Sequence, residues 1–135
     1  MADNFKFYVL PNNTTGSVLI PVSATIQPIA FLSTTLNNNE AINLRAVIGW
    51  VGLSGISNVV YKIWRGAPVT GTLINSSLES SESGLDRNKV TNLAQVDTGS
   101  FGTVTYILTA ELLDPARGAN IIGPLTFTAA KETLL

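Results

Sequence analysis

Residues 40–51 read Glu40-Ala41-Ile42-Asn43-Leu44-Arg45-Ala46-Val47-Ile48-Gly49-Trp50-Val51. Ile42, Leu44, Ala46, Ile48 and Trp50 take every second position, with Asn43 and Arg45 between them. A period of two is the mark of a strand with one buried face. Val47 and Val51 then make the other side apolar as well. The same alternation recurs on both sides of this stretch. Gly52 to Ser57 is a turn, after which Val59, Tyr61 and Ile63 oppose Val60, Lys62 and Trp64 until Arg65-Gly66-Ala67-Pro68 stops the strand. Upstream, Val18, Ile20, Val22, Ala24 and Ile26 alternate with polar neighbours, and Pro21 confines that strand to an edge or bulge.

Downstream come a weaker strand over Val69 to Ile74 and a serine-rich polar stretch, Asn75 to Asn88, that reads as the longest loop. Lys89 to Val96 is a short strand that ends in the turn text Asp97-Thr98-Gly99-Ser100. Val104, Tyr106, Leu108, Ala110 and Leu112 alternate with Thr103, Thr105 and Thr109. After Asp114-Pro115-Ala116-Arg117-Gly118, a last strand carries Ile121, Gly123, Leu125, Phe127 and Ala129 on one face. No segment has helical periodicity and there is no internal repeat. The chain is therefore all-β, a single sandwich of jelly-roll or Greek-key type.

The N-terminal stretch is set apart. Phe5, Lys6, Phe7, Tyr8, Val9 and Leu10 form a strongly β-prone run, separated from the rest by Pro11-Asn12-Asn13-Thr14-Thr15-Gly16. This divides the chain into a connector and linker over residues 1–16 and a sandwich domain over 17–135. Exposed at a terminus, such a run would promote aggregation, so it requires burial. It is either the first strand of its own sandwich or a donor strand that inserts into a neighbouring subunit by β-augmentation. The donor reading makes Phe5, Phe7, Tyr8, Val9 and Leu10 the axial assembly contact. The linker supplies a reach of about 20 Å at full extension.

Composition removes several kinds of function. The 135 residues contain no cysteine and no histidine, which excludes a Ser-His-Asp relay, a thiolate nucleophile, and nitrogen or sulfur ligands for zinc. No cofactor or metal is called for. Eight basic against nine acidic residues give a net charge of −1, too little positive charge for a nucleic-acid footprint. Charged residues make up 13% of the chain against about 25% in ordinary domains, leaving a neutral surface of Ser, Thr and Asn. Pro11, Pro21 and Pro28 interrupt the long uncharged N-terminal third, so no apolar run spans a membrane. Met1-Ala2-Asp3-Asn4-Phe5-Lys6 lacks the basic and apolar regions of a secretory signal.

Local motifs add little. Gly49-Trp50-Val51-Gly52 and Gly52-Leu53-Ser54-Gly55 are turn glycines rather than phosphate or nucleophile loops. Glu79, Glu82, Asp86 and Asp97 match no calcium loop. Trp50 shares the parity of the core residues, whereas Trp64 shares that of Lys62. Val47, Val51, Val60 and Trp64 thus leave apolar area outside a sheet, which makes them candidates for a trimer face. Carbohydrate stacking on Trp64 is the competing use of the same side chain.

The run Glu40 to Gly49, the run Val59-Val60-Tyr61-Lys62-Ile63-Trp64-Arg65-Gly66 and the strand Thr103 to Glu111 resemble small exosporium proteins of Bacillus-type endospores. That resemblance implies a jelly roll like tumour-necrosis-factor and complement-type (C1q-like) heads, packed as a homotrimer on the spore surface. The aromatic N-terminal segment looks like the connector of thin endospore appendages, whose trimers stack head to tail. The collagen-like stalk of spore-nap glycoproteins and the cysteines of the thicker appendages are absent. The resulting expectation is a non-enzymatic fibre subunit on the spore surface, in exosporium or appendage, reaching it without a signal peptide. Its partners would be its own copies, an anchoring protein and a tip protein, with neither nucleic acid nor membrane. The alternative is a trimeric lectin-like or receptor-binding head of a spore or phage fibre that uses Trp64 or the Asn75–Asn88 loop.

Overall fold

A computed structural model of the chain describes residues 5–9, 19–53, 55–81, 88–98 and 101–133. Nine strands occur among them: β1 (Phe5–Val9), β2 (Ile20–Val22), β3 (Gln27–Leu36), β4 (Glu40–Gly52), β5 (Asn58–Arg65), β6 (Thr72–Ser80), β7 (Asn88–Asp97), β8 (Gly102–Leu112) and β9 (Ala119–Thr133). One sheet has the order β1-β9-β4-β7, with β2 also on β9, and the other the order β3-β8-β5-β6. Every pairing is antiparallel. Consecutive strands mostly change sheets, and the result is the jelly-roll sandwich read from the sequence. No described helix is long and apolar enough to cross a membrane.

The alternation in residues 40–51 becomes β4, one of the two central strands of its sheet. Ile42, Leu44, Ala46, Ile48 and Trp50 point into the sandwich and are essentially fully buried. They meet Val59, Tyr61 and Ile63 of β5, Tyr106 and Leu108 of β8, and Ile121, Leu125 and Phe127 of β9. Each large side chain so buried contributes about 1.5–3 kcal/mol of transfer free energy. Trp50 and Tyr61 fix the contact between the sheets edge to face, with centroids 6.1 Å apart and planes at 65°.

Three elements depart from the sequence reading. The strand expected over Val18–Ile26 is confined to Ile20–Val22, and Ser23 to Ile26 bend away. Residues 27–36, unassigned from sequence, form the ten-residue β3. Asn75 to Ser80, expected as loop, belong to β6. Residues 82–87 of the expected loop lie outside the described residues, as do Gly99 and Ser100 of the β7–β8 turn.

Candidate functional site

The first candidate surface is the N-terminal run. β1 pairs antiparallel with β9 of the same chain, Phe5 opposite Ala130, Phe7 opposite Thr128, Tyr8 opposite Phe127 and Val9 opposite Thr126. β2 continues along the same side of β9, with Ile20 opposite Ile121 and Val22 opposite Ala119. β1 and β2 are thus two pieces of one edge line, separated in sequence by residues 10–19. Leu10 and the linker Pro11–Gly16 lie outside the described residues.

The four apolar candidates do not share a face. Val47 and Val51 sit on the outside of the β4 sheet, Val47 flanked by Asn92 and Thr126, Val51 by Asn88 and Asn120. Val60 sits on the outside of the opposite sheet, between Leu78 and Glu111. Alternation within a strand separates its two sides but does not say which outward sides belong together. Trp64 is also outward yet only 6% exposed. A register shift between Ile63 and Trp64 accompanies its tucking down against β8, where its Nε1 donates to Thr109 Oγ1 at 3.0 Å. Lys62 Nζ lies 5.8 Å from the ring centroid and pairs with Glu111 at 2.8 Å. This covered indole offers no stacking platform, so the carbohydrate use of Trp64 is set aside. Trp50 is in the core, as its parity indicates.

The acidic residues are dispersed as well. Glu79 accepts from Ser77 Oγ at 3.1 Å and from Thr91 Oγ1 at 3.2 Å, and Thr91 Oγ1 in turn accepts from Trp50 Nε1 at 2.9 Å. With Asn75 Nδ2 donating to Gln95 Oε1 at 3.0 Å, these groups form a polar seam that closes the β6–β7 side of the sandwich. Asp97 is at the far end of β7. It accepts Arg65 Nε and Nη2, both at 2.9 Å, and Tyr106 Oη at 2.7 Å. Sequence reading missed this clamp, because Asp97 looked like turn text and Arg65 like a strand stop. Glu82 and Asp86 lie outside the described residues.

Burial raises the Tyr61 phenol well above its usual range, and the nearby charge of Glu79 adds to the shift. Tyr106 is raised by burial first and then by its hydrogen bond to Asp97. Among the described residues there is neither a cavity that these groups could line nor a group of three or more His, Cys, Asp and Glu residues.

No family model matches the chain, and no curated protein matches it. Among solved structures it is similar to the CBM22-1 xylan-binding domain of Xyn10C from Paenibacillus barcinonensis, with 15% identity and a TM-score of 0.50 over 99% of this chain and 85% of that one. It is also similar to dimeric latent PorU from Porphyromonas gingivalis, with 11% identity and a TM-score of 0.49 over 96% of this chain and 13% of that one. For the infectious bursal disease virus Gx strain the values are 9% and 0.42, over 98% and 38% of the two chains. The chain therefore spans most of the xylan-binding domain but only a minor part of the other two. Identities this low carry the fold alone, a jelly-roll β-sandwich, and none of these matches is an exosporium protein.

Proposed function

We propose that the chain is the structural subunit of a spore-surface fibre, a jelly-roll head that forms homotrimers and stacks head to tail through its N-terminal segment. The observation that carries this reading is the divided edge strand. Pairing with Thr126–Ala130 of β9 gives β1 a place in the sheet, while residues 10–19 separate it from β2. Five residues at a sheet edge form a small, detachable unit. Moved onto the equivalent edge of a neighbouring copy, β1 would make the same backbone pairs, so exchange costs little. A contact of that kind is heterologous and continues as a filament unless its rotation closes a ring. Three connectors engaging together gain avidity over one.

The burial of both tryptophans also favours a structural role over a lectin-like head. In this reading the partners are further copies, with an anchoring protein at the base and a tip protein at the far end. The location is the exosporium or an appendage outside the spore.

Electron microscopy of the purified full chain tests the proposal. Long thin fibres are the expected result, and discrete particles would favour the binding-head alternative. Deleting residues 2–10, or introducing Phe5→Asp with Phe7→Asp, should abolish fibres and leave a folded trimer by light scattering. Unfolding of both variants would make β1 an ordinary first strand. Fibres that persist in both would move the axial contact to another surface.

A further inference from the structure

A sheet edge is a row of unpaired backbone donors and acceptors, and proteins blunt such edges with short strands, prolines, bulges or lysines. Most of the edges here are blunted. β1 is five residues long with Lys6 inside it, and β2 is a three-residue run holding Pro21. β3 carries Pro28 and a register shift between Pro28 and Ala30. β6 is irregular where Ile63 pairs with Asn75 but Trp64 with Leu73.

β7 is different. It pairs with β4 through ten consecutive residues, from Ile42 opposite Asp97 to Val51 opposite Asn88, without a shift and without a proline. Lys89 is its one lysine and lies next to its end. Among the described residues no strand pairs with its other side. Its solvent face presents Val90, 57% exposed, and Val96, 52% exposed, with exposed Asn92 and Ala94 between them.

We propose that the β7 edge pairs antiparallel with the β7 edge of a second copy of this chain, about a two-fold axis at Leu93. Directly opposed residues of an antiparallel pair share a face, and a two-fold axis makes each pairing reciprocal. An axis at Leu93 puts Val90 against the partner's Val96 and Asn92 against the partner's Ala94, each pair occurring twice. On the inward face Lys89 falls opposite the partner's Asp97, so no like charges meet. Moving the axis by one residue with the faces preserved, to Asn92 or Ala94, sets both valines against other residues and loses the valine pairs. Of these three registers only the one centred on Leu93 sets valine against valine. The β4 sheets of two copies become a single continuous sheet. Because the contact is isologous it closes on itself, so it is separate from any head-to-tail stacking and stands whether or not the fibre reading does.

Sedimentation velocity of the full chain over a concentration series tests the contact. In V90K/V96K each valine pair becomes a lysine pair, and the association should weaken about tenfold. In V90K/V96E lysine faces glutamate in the same register, and association should return to near the wild-type strength. Both positions are exposed, so the fold, followed by near-ultraviolet circular dichroism, should be unchanged. The proposal is overturned if V90K/V96K associates as strongly as wild type, or if V90K/V96E associates no better than V90K/V96K. Fibres seen in all three proteins would leave the fibre reading intact whichever way the edge result falls.

Discussion

Asp97 concentrates more of the tertiary structure in one side chain than any other charged residue described. Its carboxylate is only 6% exposed, and it joins β7 of one sheet to Arg65 of β5 and Tyr106 of β8 in the other. Asp97→Ala would leave the Tyr106 hydroxyl and the guanidinium without their acceptor. Removing one partner of a buried charge pair costs more than the pair itself contributes. Arg65 keeps 27% side-chain exposure, so water relieves part of the loss. The expected destabilisation is about 2–3 kcal/mol, read from urea unfolding with an unchanged m-value. Little of this was legible in the sequence. Asp97-Thr98-Gly99-Ser100 is ordinary turn text, and the partner cation lies 32 residues earlier. Only the sheet order brings the two together.

At the scale of elements, the strands that were easiest to read are those with a dry side. β4 and β8 are legible because every second residue enters the core, while Asn43 and Arg45 in β4 and Thr103, Thr105 and Thr109 in β8 mark the other side. β3 alternates in burial too, with Ala30, Leu32, Thr34 and Leu36 inside. Its inward Thr34 and its exposed Phe31 blur the binary pattern that marks a strand. β6 is mostly polar beyond Ile74, which packs against the core. Its Asn75, Ser77 and Glu79 seal the flank beside β7 rather than enter the core, so this part passes for a loop. Between β4 and β9 the decisive contact involves no side chain. A Cβ on Gly49 would run into the Gly123 carbonyl oxygen, at the register shift between Ile48 and Trp50. Gly49→Ala must therefore part the two central strands. It should destabilise by about 3 kcal/mol, the upper end of overpacking. A thermal unfolding midpoint within a degree of wild type would contradict that.

For the molecule as a whole, the two buried tyrosines set an alkaline limit. Tyr61 and Tyr106 both keep their protons above the ordinary tyrosine value of 10.0. The unfolded chain releases those protons near that value while the folded chain holds them, so unfolding becomes easier as pH rises. Stability from these groups is fully present below about pH 10 and falls above it, by about 1.4 kcal/mol per tyrosine per pH unit. Of the three tyrosines in the chain, these two should ionise only as the near-ultraviolet dichroism of the fold disappears. Absorbance at the phenolate band, followed alongside that dichroism, checks the coupling. Ionisation of all three near pH 10 in a chain that stays folded would refute it.

What the sequence determined by itself is the local chemistry. Alternation at every second residue specified strands, the burial of Trp50 and an all-β sandwich, because the two sides of a pleat are properties of neighbouring residues. What the tertiary structure decided is how separate sides combine. Val47 and Val60 are alike as text, yet they lie on opposite outer faces of the sandwich. Trp64 reads as an outward aromatic, but it is covered by Lys62 and hydrogen-bonded to Thr109. Strand order, register and bulges are set by residues distant in sequence, and that is the physical reason the outer surfaces, unlike the core, could not be read residue by residue.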